Sequence, residues 1–488
     1  MRPVASWGID KKSQIVKTYP FFVNGEFRQT TSTFPVVNPA TGEPFAAMSN
    51  ADRPTVAQAL SDSAMAFRQW REVPGKTRGE FLFRLADQVR QRREEFARTV
   101  TLENGKPLSQ SLGEVDLAED HLRWFAEEAR RGYGRVVPPQ YPHKRHLVLK
   151  TPIGVVAAIA PWNFPLMLAV RKIAPALAAG CTVVLKPASQ TPLSAVLFAE
   201  CVEAAQLPAK VFQFVAGSAG VIGAEFLENP LCRKITFTGS TEVGRKLIAG
   251  AAAQVKRLSL ELGGLAPLLV FEDADLDKAI EGIMVAKFRN TGQSCIAANR
   301  VYVQQPVYDA VLERLAPKVR ALKVGNGLEP DVQIGPLVNQ AAIAKAQEHV
   351  NDALGCGARL VCGGKALPGP GFFFEPTLLA DVAKESLCLA EETFAPVLPV
   401  LPFATESEAL EMANNTSFGL SAYAFTRDVA RVFRLGESLE AGIIGINDGL
   451  PTASHTPFGG VKWSGWGREL GQEGMEAFLE TKHVSIGL

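Results

Sequence analysis

The chain is poor in the residues that build metal centres and disulfide frameworks. Its six histidines are scattered, with no HExxH spacing, so a metal is not expected. Seven cysteines make an odd count with no CxxC pair, which leaves neither a disulfide scaffold nor a zinc ribbon. Cys181, Cys201, Cys232 and Cys388 lie in or beside apolar segments and read as small core residues, while Cys356 and Cys362 flank glycine-rich turns. No apolar run reaches the roughly 18 residues of a membrane span. The longest, Ile173 to Leu185, is interrupted by Gly180. Met1 to Trp7 carries no apolar signal core, so the cytoplasm is the expected compartment. An excess of one charge is missing too. With 51 Lys and Arg against 50 Asp and Glu, the net of +1 offers nothing to nucleic acid or to an anionic membrane. The dinucleotide fingerprint GxGxxG is also absent.

What remains is a long chain with ample core-forming material. At 488 residues, 47% of them hydrophobic, two or three domains are expected. From Ile153 the pattern alternates strand and helix: strands over 153–160, 182–185, 211–215, 234–237 and 258–262, with helices over 166–179, 192–205, 219–227 and 243–253 between them. Repeated βα units of this length predict a parallel sheet with helices on both faces. A second series follows, with strands over 267–271 and 300–303 and helices over 276–287 and 307–319, and the Gly263-Gly264 pair is a plausible hinge between the two. Upstream, 55–70, 76–101 and 113–131 read as helices, and 135–149 as an irregular segment ending in a strand.

The chemistry centres on Cys295, in Asn290-Thr291-Gly292-Gln293-Ser294-Cys295. A lone thiol is by default an inert core residue. These neighbours are small or polar, however, and read as a loop leading to a helix that begins near Ile296. A thiol at a helix N-terminus has a lowered pKa and is a candidate nucleophile. Glu261 ends a strand just before Gly263-Gly264, where α/β active sites gather. It is a candidate base for hydrolysing an acyl-enzyme, or else a strand-end carboxylate that reaches water. Pro161-Trp162-Asn163-Phe164-Pro165 is a turn fixed by two prolines, and Asn163 could donate to an oxyanion. Lys186-Pro187-Ala188-Ser189 ends the next strand. In Phe237-Thr238-Gly239-Ser240-Thr241, Gly239 and Ser240 open a helix toward a pyrophosphate, unless Ser240 is simply an N-cap.

Together these motifs resemble the NAD(P)-dependent aldehyde dehydrogenase superfamily. Glu391-Glu392-Thr393-Phe394 and Pro457-Phe458-Gly459-Gly460 add to the match, which runs in the family's order from about Phe21 to the C-terminus. The resemblance implies an α/β fold of two parallel-sheet domains plus a small β extension for oligomerisation. Residues 1–134 and 154–262 would form the cofactor-binding domain and 263–446 the catalytic domain. Residues 135–153 and 447–488 would form the extension and a C-terminal segment. It also implies a homodimer or homotetramer, and a small-molecule aldehyde as substrate.

By the same resemblance, Cys295 attacks the aldehyde and Asn163 holds the thiohemiacetal oxyanion together with the Cys295 N–H. Hydride passes to NAD(P)+, and Glu261 activates the water that cleaves the resulting thioester. Lys172 and Glu469 match positions that relay protons from Glu261. Trp162, Lys186, Ser189, Gly239, Ser240, Glu392 and Phe394 match cofactor-binding positions. Many NAD-preferring relatives carry Glu where Ser189 stands. Without that charge, and with Lys186 beside it, NADP is expected to be accepted alongside NAD.

The branch resembled is that of bacterial succinate-semialdehyde dehydrogenases, through Lys287-Phe288-Arg289-Asn290, Ala298-Asn299-Arg300 and Ser485-Ile486-Gly487-Leu488. There two arginines grip a distal carboxylate. Arg171 and Arg289 match them, with Thr452 and Phe458 beside the substrate. For Arg171 a structural ion pair is the alternative. Ala297 stands where some members have a second, redox-active cysteine. Pro451, Thr452 and Leu265 also depart from the branch, which opens the substrate to glutarate or 2-oxoglutarate semialdehyde or another aldehyde. A cysteine hydrolase is the competing class, and it would leave the cofactor motifs idle.

Overall fold

The Val-, Leu- and Ala-rich runs of the middle of the chain become buried parallel strands, as continuous apolar runs covered on both faces must. In the computed structural model, which describes residues 16–488, the first sheet has eight strands. Five are parallel: Val155–Ile159, Thr182–Lys186, Phe212–Phe214, Cys232–Thr238 and Arg257–Glu261. Taken in chain order they are arranged 3-2-1-4-5. The switch point of such a sheet lies beyond the carboxyl ends of its first and fourth strands, here Val155–Ile159 and Cys232–Thr238. Short antiparallel strands close both edges, Phe21–Val23 with Glu26–Arg28 on one side and Gly465–Trp466 on the other.

A second sheet of seven strands follows. Ala266–Val270, Ala298–Gln304, Thr377–Ala380, Val397–Phe403, Ser421–Phe425 and Ile443–Ile446 run parallel, and Arg359–Cys362 pairs antiparallel at the edge. Gly263 and Gly264 join the two sheets. At Gly264 a side chain is excluded by space: a Cβ would meet the Cys295 carbonyl oxygen at 2.3 Å.

Two helices differ from the reading above. The 76–101 stretch splits into Gly75–Gln91 and Arg93–Asn104 at Arg92, whose guanidinium bridges Glu95 and Glu200 at 2.8 and 2.6 Å. The next helix starts earlier, at Leu108 directly after Pro107. The helix Pro165–Ala179 is buried along its whole length, with Pro165 at its first position, where a missing N–H costs nothing. Arg135–Val137, Lys144–Pro152 and Leu479–Gly487 form a separate three-stranded antiparallel sheet. Of the 447–488 segment, only Leu479–Gly487 joins it. The reading of Met1 to Trp7 lies outside the described residues. Among the described residues no helix is long and apolar enough to cross a membrane, and no cluster of three or more His, Cys, Asp or Glu could hold a metal ion.

Candidate active site

A cavity of about 200 Å³ opens at the switch point of the first sheet. Pro161, Trp162 and Asn163 reach it from the end of the first strand, and Thr238, Gly239 and Ser240 from the end of the fourth. Leu262 and Gly263 come from the junction between the sheets. Cys295, Glu392 and Phe394 close the cavity from the second sheet. Trp162 and Phe394 meet edge to face, ring centroids 5.6 Å apart. Ser240 caps the helix Thr241–Ala251 by accepting from the Val243 N–H. The Glu392 carboxylate accepts a long bond from the Gly264 N–H at 3.4 Å, its one such bond among the described residues, and burial pushes its pKa up to about 8.

No helix begins at Ile296. Asn290 and Thr291 take left-handed backbone (φ 50° and 57°) and Gly292 follows at φ 74°. The chain therefore turns sharply after the helix Leu276–Phe288 and runs through Cys295 into the strand Ala298–Gln304. The thiol thus lacks a helix dipole, and its pKa is not lowered. Burial, then the Glu392 carboxylate, push it up to about 12, with Glu261 adding and Arg171 opposing. The side chain is partly exposed to the cavity, and it is the surrounding protein and carboxylates that disfavour the thiolate.

Asn163 is held from three sides. Its amide donates to the Gln293 carbonyl at 3.2 Å, and its own carbonyl accepts from Lys106 Nζ at 2.6 Å and from the Asn290 amide at 2.8 Å. Glu261 is buried, and neither carboxylate oxygen has a protein hydrogen-bond partner among the described residues. Gly459 packs against it so closely that a Cβ there would sit 2.8 Å from Glu261 Oε1. Burial, with the Glu469 charge, raises the Glu261 pKa well above the usual carboxylate range, against Lys172 and Arg171. Lys172 Nζ donates to Thr238 Oγ1 at 2.6 Å and to Glu469 Oε1. A backbone clasp between Phe458 and Glu469, 2.7 Å in both directions, fixes that carboxylate.

Arg171 is buried and stacks on Phe458 at 4.4 Å. Arg289 lies over Phe164 at 5.0 Å, near enough to Arg171 for each charge to oppose the other. Neither guanidinium hydrogen-bonds a carboxylate among the described residues, so Arg171 is not in a structural ion pair. Lys186 and Ser189 lie outside the cavity. Burial lowers Lys186 to about 8, and Ser189 donates to the Gly217 carbonyl at 3.4 Å. The Thr452 backbone N–H donates to the Leu450 carbonyl at 2.9 Å.

Four residues escaped the sequence reading: Lys106, Glu114, His121 and Ser454. Glu114 accepts from the Leu166 and Met167 N–H groups at the start of Pro165–Ala179 and pairs with Lys106 at 2.6 Å, both side chains fully buried. The signal was present. Glu114 and His121 fall on the buried stripe of their helix with Val115, Ala118, Leu122 and Phe125, where polar residues need a partner.

The chain as a whole is similar to known proteins. The sequence matches the aldehyde dehydrogenase family over residues 27–484. The chain belongs to the aldehyde dehydrogenase family. It is 50% identical to the glutarate-semialdehyde dehydrogenase of Pseudomonas aeruginosa over 93% of this chain and 94% of that one. It is 48% identical to the NADP(+) succinate-semialdehyde dehydrogenase GabD of Escherichia coli, over 96% and 97%. A solved E. coli NADP-dependent enzyme superposes with a TM-score of 0.95 at 47% identity, covering 97% of this chain and 98% of that one. As an aldehyde dehydrogenase, the protein oxidises an aldehyde to a carboxylate, and the hydrolase alternative falls.

Proposed function

We propose that this aldehyde dehydrogenase oxidises a short aldehyde carrying a carboxylate at its far end, succinate semialdehyde first, with NADP+ or NAD+ as acceptor. One observation carries the substrate class: Arg171 and Arg289, two guanidiniums without a carboxylate partner, stand near Cys295 in a buried site. A buried Arg171 beside a half-buried Arg289, neither hydrogen-bonded to a carboxylate among the described residues, favours an anionic ligand, and guanidinium–carboxylate pairing suits that role. Glutarate semialdehyde is a second reading, favoured by the 50% identity to the P. aeruginosa enzyme. The 2-oxoglutarate semialdehyde would need room for one more oxygen.

The cavity residues fit a nicotinamide cofactor: Trp162 and Phe394 offer apolar ring surface, Glu392 an underused carboxylate for ribose hydroxyls, and Gly239 and Ser240 a helix N-terminus for a pyrophosphate. Lys186 and Ser189 would hold the adenine-side ribose, with Lys186 favouring a 2′-phosphate. When bound, the cofactor supplies the hydride acceptor. The chain does the rest. Cys295 attacks the carbonyl carbon, and Asn163 with the Cys295 N–H holds the developing oxyanion. After hydride loss the carbon is a thioester on Cys295. Glu261, its oxygens unclaimed by protein donors, takes a proton from the attacking water, and Lys172 and Glu469 lead that proton away. The three-stranded sheet is proposed to join subunits into a dimer or tetramer.

The test is kcat/KM for succinate, glutarate and 2-oxoglutarate semialdehydes and for uncharged aldehydes of equal length, each with NADP+ and NAD+. A carboxylate advantage of tenfold or more, about 1.4 kcal/mol, is expected. Equal rates on charged and uncharged aldehydes would overturn the substrate reading.

A further inference from the structure

Arg171 is not simply a free cation in the site. Its Nε donates to His121 Nε2 at 3.2 Å. Since an arginine Nε–H can only donate, His121 Nε2 must accept, and its proton sits on Nδ1. That N–H points to Ser454 Oγ at 2.7 Å, and the Ser454 hydroxyl in turn donates to Asp120 Oδ2. Each link fixes the direction of the next: carboxylate, hydroxyl, imidazole, guanidinium. The chain begins on the exposed Asp120 and ends on a buried arginine. It draws together the helix Leu108–Glu128, the loop carrying Ser454 and the helix Pro165–Ala179. The loop is pinned further by the Gly471 N–H to the Ser454 carbonyl, and the Gly471 carbonyl accepts from Trp124 Nε1 at 3.2 Å.

A guanidinium offers two bidentate edges, Nε with one Nη, or the two Nη together. With Nε engaged by His121 and the plane stacked on Phe458, the Nη end is the edge left to receive an anion. Among the described residues Nη2 has only the weak acceptor Met167 Sδ, 3.9 Å away. We propose that His121, held in one tautomer by Ser454 and Asp120, is a positioning residue that orients Arg171 toward the far-end carboxylate of the substrate. The proposal rests on the two-arginine reading given above. A histidine suits this better than an acidic residue. A Glu or Asp would orient the guanidinium equally well but would cancel its charge, removing the attraction that makes it useful. A neutral imidazole directs the arginine and leaves the full positive charge for the ligand.

The experiment compares kcat/KM for succinate semialdehyde with that for butanal, which has the same chain length and no charge, in the full-length enzyme with NADP+. His121→Leu is expected to lower this ratio about tenfold, the size of one hydrogen bond to a charged group, and to do so through KM rather than kcat. Ser454→Ala, which enters the chain from the other end, should move the ratio the same way. The double variant should fall no further than His121→Leu alone, because both act through one element. His121→Gln, which can accept from Arg171 and donate to Ser454, should recover part of the loss. His121→Glu should lower the ratio more than His121→Leu. Arg171→Leu separates the two readings. If Arg171→Leu collapses the ratio while His121→Leu and Ser454→Ala leave it intact, the clamp stands and the His121 proposal is wrong. If Arg171→Leu leaves the ratio unchanged, the clamp reading fails and takes this one with it. Should His121→Leu not fold, Ser454→Ala and His121→Gln decide alone.

Discussion

A thiol pushed up to about 12 is almost wholly protonated at neutral pH, so in the free enzyme Cys295 attacks slowly unless its proton has somewhere to go. Alkylation should report this directly. Inactivation of the free enzyme by iodoacetamide is expected to accelerate about tenfold per pH unit between pH 7 and 10, following the thiolate fraction. A rate already flat above pH 7 would show that the thiolate is stabilised by something the protein geometry does not supply. The nucleophile was legible from its small polar neighbours, but its ionisation was not. The carboxylates that raise it, Glu392 and Glu261, come from distant segments, and the helix that would have lowered it is replaced by three successive left-handed residues, Asn290 to Gly292. Ser189 gives a second residue-scale test. A carboxylate there would stand near a 2′-phosphate, where each like-charge pair costs about 1–4 kcal/mol at a few ångströms and an effective dielectric of 20–80. Ser189→Glu is therefore expected to shift the NADP-to-NAD ratio of kcat/KM at least tenfold toward NAD. An unchanged ratio would mean that this strand end does not meet the ribose.

At the scale of elements, the parallel strands of the first sheet and Ala266–Val270 and Ala298–Gln304 of the second could be read because β-branched and apolar runs set them apart from the amphipathic helices between them, whereas Thr377–Ala380, Val397–Phe403, Ser421–Phe425 and Ile443–Ile446 went unread. The edge strands Phe21–Val23, Glu26–Arg28 and Gly465–Trp466 could not, since two or three residues carry no period. What orders the helix Pro165–Ala179 was equally hidden. Its first N–H groups are met not by a local cap but by Glu114, from another helix, and that carboxylate also neutralises Lys106, whose Nζ holds the Asn163 carbonyl. Sequence shows a Glu and a Lys and says nothing of a pair buried at 0% exposure on both sides. Removing one partner from such a pair strands a buried charge. Glu114→Ala is thus expected to cost about 3–5 kcal/mol in urea unfolding and to lower kcat by loosening Asn163. Replacing both partners together, as Lys106→Met with Glu114→Leu, should recover stability without recovering kcat. If Glu114→Ala costs no more than a surface substitution, the pair is not what anchors this helix.

At the scale of the whole molecule, the three-stranded sheet Arg135–Val137, Lys144–Pro152 and Leu479–Gly487 stands apart from both large sheets. Its register decides which residues share a face. Val136 and Val484 both lie opposite Leu147, Lys482 lies opposite Leu149, and Ile486 opposite Arg145. Alternation then puts Val136, Leu147, Leu149, Val484 and Ile486 on one side, while His146 and Val148 turn inward and are buried. That side also carries Arg145 and Lys482, and its apolar members are uncovered within the chain: Val136 is 72% exposed, Leu149 41% and Ile486 38%. Exposed valine, leucine and isoleucine grouped on one sheet face, bordered by Arg145 and Lys482, are the kind of mixed patch that protein contacts use. Isologous pairing puts the same residue of each subunit at or near the contact, so a charge introduced once appears twice. If this sheet joins subunits as proposed, Leu149→Asp together with Ile486→Asp is expected to drive the enzyme to monomers, seen by sedimentation velocity at micromolar concentration. A variant that keeps the wild-type sedimentation coefficient would show that the subunits meet elsewhere.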